Sequence, residues 1–194
     1  MANTQSAYGF QEFGFLGGGS PDYQIQTGLI QSSNTTKIFQ GDPIVKNGGT
    51  NYLIQGANNT TTVVGIFRQC VYIPVGGGTP IWSPFWPGTA AQDATAYFSS
   101  SPMALFRVAA LSTSIVTANI GQNVGFAIGT GNTAGGGFSG ATVDQSTLAT
   151  TNTLPFQIYS LFPGIGNGSD PTTNYGWCIV SFNNQRYKQL QGVA

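Results

Sequence analysis

Between residues 23 and 31 the chain alternates. Tyr23, Ile25, Thr27 and Leu29 stand against Gln24, Gln26 and Gly28, the period-two pattern of a strand with one face buried. Short apolar or alternating runs recur at 37–39, 44–46, 52–55, 62–68, 70–75, 94–98, 104–108, 124–128, 155–161 and 177–182. Punctuators such as Asn47-Gly48-Gly49, Gly76-Gly77-Gly78 and the stretch 164–170 separate them. Short strands with a turn signal every ten residues or so predict an all-β fold, as a single sandwich, jelly roll or barrel of antiparallel strands.

Two segments depart from this rhythm. Residues 113–120 carry Ser112 or Thr113 as a cap and Gly121 as a stop, which predicts one helix of two turns at most, weakened by β-branched residues. Residues 1–22 read as an extended arm preceding a β-rich domain of residues 23–194. Gly9, Gly14 and Gly17-Gly18-Gly19 deny Phe10, Phe13 and Phe15 a helix, and Ser20-Pro21-Asp22 closes the segment. Aromatic side chains on such an arm are expected to dock, either on the core of their own domain or on a neighbouring subunit.

Composition sharpens the picture. Of 194 residues 40% are hydrophobic, enough for a packed core, but only 6% are charged, against roughly 25% in an ordinary soluble protein. Six cations balance six anions. A chain without net charge has no long-range field to gather phosphate or anionic lipid, so neither nucleic acid nor a membrane surface is expected as a partner. No run approaches the ~20 apolar residues of a membrane span, and MANTQSAYGF has no basic and apolar leader pattern, so no secretory signal is expected. Disorder is excluded by thirteen Phe, eight Tyr and three Trp spread along the chain.

Candidate chemistry is sparse. There is no histidine, which removes the commonest general base and metal ligand. Cys70 and Cys178 match no metal spacing; each lies in an apolar run, as a buried thiol or as half of a disulfide between neighbouring strands. The acids Glu12, Asp22, Asp42, Asp93, Asp144 and Asp170 are isolated in sequence. Asp42 in Gly41-Asp42-Pro43 and Asp170 in Ser169-Asp170-Pro171 suit turns whose side chains bind nearby amides, while a hydrolase would need two acids to meet in a cleft. Residues 124–134, VGFAIGTGNTA, imitate the strand and GxGxxA of a dinucleotide site. The following GGGFSG cannot begin the required helix. Neither a catalytic residue, a cofactor nor a metal is therefore expected.

One aromatic cluster remains. Trp82-Ser83-Pro84-Phe85-Trp86-Pro87-Gly88 can pack as a rigid turn, stack on sugar rings, or anchor a protein contact.

Several segments, in order, resemble the capsid cement or decoration proteins of tailed bacteriophages. They are MANTQSAYGFQEFGFLGGGSP (1–21), GDPIVK (41–46), FWPG (85–88), SPMALFRV (101–108), NIGQNVGFAIGTGN (119–132), GFSGATVDQSTLATTNTLPFQIYSLF (137–162) and YGWCIVSFNNQRY (175–187). Gln11-Glu12 replaces a more basic stretch of that family, and Gln185 stands where it often has histidine. The resemblance implies a non-enzymatic virion protein on the outer capsid surface. Its partners would be the major capsid protein and other copies of itself, a trimer being favoured over a dimer. The expected contact residues are Tyr8, Phe10, Phe13 and Phe15 on the arm and Trp82, Phe85 and Trp86 on the loop. A carbohydrate-binding virion module, a head fibre and a tail component are the alternatives.

Overall fold

The computed structural model describes residues 7–20, 25–58, 60–111, 115–134, 136–162 and 176–188. The fold is all-β, with fourteen strands and a single 3₁₀ turn among the described residues. In chain order the strands are β1 (Gln11–Phe15), β2 (Ile25–Ile30), β3 (Ile38–Phe39), β4 (Pro43–Lys46), β5 (Leu53–Gln55), β6 (Gly65–Tyr72) and β7 (Ile81–Ser83). They continue as β8 (Phe85–Trp86), β9 (Ala94–Ser99), β10 (Ala104–Ala109), β11 (Asn123–Ala127), β12 (Thr142–Ala149), β13 (Phe156–Leu161) and β14 (Trp177–Phe182). One six-stranded antiparallel sheet has the order β1-β10-β14-β13-β11-β12. A second runs β2-β9-β6-β4-β5 with β7 beside β6, and β3 pairs with β8 as a small third layer. None of the sheets closes into a barrel, and the architecture is in keeping with a β-sandwich.

Alternation along the strands of the first sheet builds the larger core. Phe106, Val108, Val124, Phe126, Val143, Phe156, Ile158, Cys178, Val180 and Phe182 all point inward. Ile66 of the second sheet and Val63, just before β6, meet them. Its centre is a stack of phenylalanines: Phe10 on Phe156 at 4.5 Å, Phe156 on Phe182 at 5.7 Å, and Phe106 edge-on to Phe182 at 5.0 Å. The opposite face of the second sheet encloses a separate core of Ile30, Ile44, Leu53, Phe67, Cys70, Ala96 and Phe98, with Trp86 and Ile38 of the small layer packed into it. This sheet curls so far that its outer strands approach one another, joined by a bridge between Leu29 and Tyr52. The cysteines are free and lie in different cores. Burial pushes both thiols up to about 12, so neither is a reactive thiolate at neutral pH.

Four expectations are revised. The segment read as a separate arm is extended, but Gln11–Phe15 forms the edge strand β1 against β10, and Phe10 is fully buried in the larger core. A strand edge satisfies backbone hydrogen bonds that a free arm would leave to water. The helix expected at 113–120 is only a 3₁₀ turn over Thr117–Asn119, residues 112–114 lying outside the described residues; β-branched Ile115, Val116 and Thr117 disfavour a longer one. The runs 62–68 and 70–75 merge into β6, in which the register shifts between Phe67 and Gln69. Finally, β2 is turned the other way. Ile25 and Leu29 are exposed whereas Ile30 is buried.

The N-terminal segment is seated by a crossing of two glycines. Gly9 and Gly41 both have positive φ, at 69° and 95°. A Cβ on Gly9 would lie 2.8 Å from the Gly41 carbonyl oxygen and 2.7 Å from the Ser139 Cβ. The Phe10 amide donates to the Gly41 carbonyl at 2.9 Å, and the chain then enters the core at Phe10. After β14 the buried Gln185 ties the sheets together. Its Nε2 donates to the carbonyls of Val64 and Ser100, each at 2.9 Å.

Gly9→Ala is expected to lower unfolding free energy by about 3 kcal/mol, through left-handed strain and backbone collision. Gly48→Ala, with nothing within 4 Å of its Cβ position, is expected to stay within about 0.5 kcal/mol. Urea unfolding of both variants measures the difference; equal effects would show that the crossing is not a close contact.

Candidate protein-binding surfaces

The seven aromatic residues expected to contact a partner are placed in several environments. Phe10 and Trp86 are fully buried, which corrects their assignment as contact residues: neither can touch another molecule without unfolding. Trp86 fills the smaller core edge-on to Tyr72 at 6.0 Å, and its indole N–H donates to the Asn34 carbonyl at 2.9 Å. The Trp-Pro segment is two short strands broken at Pro84. β7 pairs with β6, and β8 carries Phe85 and Trp86 toward β3. Phe85 is half-buried and stacks on Phe39 at 5.7 Å, and Phe15 is half-buried in β1. The exposed members are Tyr8, Phe13 and Trp82.

Trp82 belongs to the first of two surfaces. Register in the second sheet places Leu29, Thr95, Val71 and Trp82 in one row across β2, β9, β6 and β7. Directly paired residues in neighbouring strands share a face. The next row holds Thr27, Tyr97 and Gln69, and the one after it Ile25, Ser99 and Ile66. Ile66 and Ser99 are buried, but toward the other end the face opens. Leu29 is 48% and Trp82 61% exposed. Trp82 stacks diagonally on Tyr97, 5.1 Å between ring centroids and 29° between planes. These three rows contain no charged residue. An exposed patch that is rigid, aromatic and uncharged at its centre has the composition of an interface core.

Tyr8 and Phe13 belong to the second surface, on the outer side of the first sheet. The register between β1 and β10 shifts between Glu12 and Gly14, leaving Phe13 as the extra residue. A bulge of this kind re-aims a side chain outward. Phe13 meets Phe162 edge-on at 5.7 Å. The Arg107 guanidinium lies 5.2 Å from the Phe162 ring centroid and 4.8 Å from that of Trp177. Trp177 stacks with Tyr8 at 6.4 Å, and Tyr8 is edge-on to Phe138 at 5.9 Å. Cation–π attraction fixes Arg107 between two rings, so the patch is ordered before it meets anything. Arg107, Phe138, Phe162 and Trp177 are members that no sequence pattern marks. The adjacency of Arg107 and Trp177 depends on the pairing of β10 with β14, where Arg107 faces Ile179 and Ala109 faces Trp177.

Among the described residues each acid is held by its own donors. Asp42 Oδ2 accepts from the Phe39 amide and the Gln55 Nε2, both at 2.7 Å, and Oδ1 accepts from the Ser139 hydroxyl. Asp93 accepts from the Tyr52 hydroxyl at 2.6 Å and the Ser32 amide at 2.8 Å. Glu12 accepts from Ser99, and Asp144 from Ser146. None of these carboxylates shares a hydrogen-bonding partner with another. Asp22 and Asp170 lie outside the described residues. Among the described residues no group of three or more His, Cys, Asp or Glu could hold a metal ion. The glycines of the GTG motif serve packing. A Cβ on Gly129 would meet the Gly140 carbonyl oxygen at 2.3 Å, and one on Gly131 would enter the Phe39 ring at 2.2 Å.

No protein-family model, curated protein or solved structure matches this chain.

Trp86→Ala is expected to cost about 4 kcal/mol of stability through the cavity it leaves. Trp82→Ala should cost less than about 1 kcal/mol, because the ring is mostly in water. Thermal or urea unfolding distinguishes them, and a reversed order would refute the placement of the two rings.

Asp42 offers a test of sign. Burial, the largest influence, lifts its carboxyl above the ordinary 3.8, against the three donors that pull it down. The native state then binds more protons than the unfolded chain between 3.8 and the raised value, so this group's contribution to stability falls as pH rises through that window. Asp42→Asn, which can still accept from Phe39 and Gln55, should lose less stability than Asp42→Ala. The latter strands three donors, at about 3 kcal/mol. The wild-type advantage over Asp42→Asn should shrink as pH rises from 3.8. An advantage that grows would mean that the donors outweigh burial.

Proposed function

We propose that this chain is a non-enzymatic structural protein of a tailed-phage virion that binds the outer face of the capsid and staples neighbouring major capsid subunits. The observation that carries this reading is the pair of exposed aromatic surfaces, one on each large sheet. The first is the uncharged row ending in Trp82, and the second is the ladder from Tyr8 through Arg107 to Phe13. A protein that bridges two subunits needs two contact surfaces, and each contact raises the effective concentration for the other. Neutrality favours the same role, since molecules standing close together on a shell repel one another if they share a sign of charge. The resemblance of the ordered segments from 1–21 to 175–187 to capsid cement proteins supplies the location and the partner. Self-association, with a trimer favoured over a dimer, follows from that resemblance alone. A contact of ~800 Å² per partner is ordinary for a specific interface.

A reconstruction of the virion tests the reading. Density for this chain is expected on the capsid exterior, with the Trp82 and Tyr8 surfaces on different subunits. Density on the tail or in a head fibre, or none on the particle, would overturn the cement assignment. Deleting residues 1–20 is a poor test, because it removes β1 and a core phenylalanine. Trp82→Ser and Tyr8→Ser leave the cores intact. Each is expected to weaken capsid binding by about tenfold, the loss of one aromatic anchor. Two variants that bind like the wild type would refute these surfaces as the contacts.

A further inference from the structure

The curl of the second sheet leaves a seam. β2 and β5 belong to its outer ends, and among the described residues the one bridge between them is Leu29 to Tyr52. Beside that bridge the wall opens into a cleft of about 420 Å³. Its floor is Leu53 and Phe98, side chains of the smaller core. Gly28 contributes no side chain there: a Cβ would meet Leu53 at 2.6 Å and Phe98 at 3.4 Å. Tyr52 and Tyr187 supply aromatic rings to its lining. Lys46 and Asn51 line this cleft and also a second recess of about 360 Å³, to which Arg186 and the β4–β5 turn contribute.

Among the described residues, the charged side chains that line the cleft and the recess are cations, while the Asp93 carboxylate bonded to the lining residue Tyr52 is the acid beside them. Lys46 and Arg186 are two of only six cations in the chain, and among the described residues no acid is part of either lining. The Lys46 ammonium donates to Asn51 Oδ1 at 2.9 Å, a neutral partner. Asp93 bonds the Tyr52 hydroxyl at 2.6 Å, and the same carboxylate is fixed by the Ser32 amide at 2.8 Å. That bond holds a ring in the cleft wall in one orientation.

An apolar floor with two tyrosines suits the C–H face of a pyranose ring. Asn51, with Thr27 in the cleft and Thr50 in the recess, offers partners for hydroxyls. The two cations suit a carboxylate. A purely apolar ligand would leave Lys46 and Arg186 unused, and a phosphate polymer would find too few cations on a neutral chain. We propose that the seam cleft binds a terminal acidic sugar, a carboxylate-bearing pyranose of a surface glycan. This site excludes Trp82 and Tyr8 but shares Leu29 and Thr27 with the rows of the Trp82 surface, so it is tested on the free protein.

Methyl glucuronide and methyl glucoside share a ring and hydroxyls and differ in the carboxylate, whereas benzoate keeps a ring and the charge without the hydroxyls. Titrating each into the ¹⁵N-labelled protein, glucuronide should shift the amides of Thr27, Leu29, Tyr52, Leu53 and Tyr187 saturably. A Kd on the order of 1 mM is ordinary for one small, solvated ligand. Glucoside and benzoate should each bind at least about tenfold more weakly, and glucuronide should weaken as salt is raised. Arg186→Gln and Lys46→Gln should each reduce affinity about tenfold with an unchanged unfolding midpoint, a loss in the range of a charge-assisted hydrogen bond. No shift at these amides at ten times the expected Kd would overturn the proposal. So would equal binding of glucuronide and glucoside, equal binding of glucuronide and benzoate, or full affinity in both variants.

Discussion

The buried carboxylate of Asp42 holds together parts of the chain that are distant in sequence. It lies in the turn between β3 and β4, and its three donors come from Phe39, from Gln55 on β5 and from Ser139 nearly a hundred residues later. Ser139 in turn accepts from the Ala141 amide at 2.8 Å, fixing the approach to β12. The preceding residue, Gly41, is where the N-terminal segment crosses. That crossing is close because neither glycine has a side chain, and it delivers Phe10 to the phenylalanine stack. The small layer, the second sheet, the 136–141 loop and β1 are thus located relative to one buried anion. Desolvating a carboxylate opposes folding unless its acceptor sites are filled, so this anion tolerates few alternative arrangements of the chain around it.

Much of the architecture was legible because strand and turn signals are local. Most expected strands are present within a residue or two, and 177–182 coincides with β14. Failures arose where tertiary context decides. In β2 the alternation was visible, but which face is buried depends on the curl of the sheet, and the inner face there is built from Gly28 and Ile30. In β12 the hydroxyl-rich run Thr142–Ala149 has no apolar alternation to announce it. It is a strand because β11 pairs with it. Residues 1–22 read as an arm because their glycines are conspicuous, although one of them, Gly9, lets the segment dock.

The candidate surfaces were partly legible for the same reason. Aromatic residues at 8, 13 and 82 stood out by composition, yet so did those at 10 and 86, and no local rule separates an anchor from a core ring. Pro84 divides Trp82 from Trp86 and sends one to water and the other to the smaller core. Lys46, Tyr52, Arg186 and Tyr187 carry no motif at all. They meet only because a curled sheet brings its far edge back to its first strand, and the C-terminal segment follows Gln185 across the gap between the sheets.

The two thiols give that division into two cores a practical meaning. Cys70 is enclosed by the curled sheet and the small layer, and Cys178 by the phenylalanine stack. Each is a silent gauge set in its own compartment, readable only when that compartment breathes. A molecule loaded by neighbours at two separate surfaces can yield in one half before the other, and the order in which these sulfurs become accessible would record which half bears the strain.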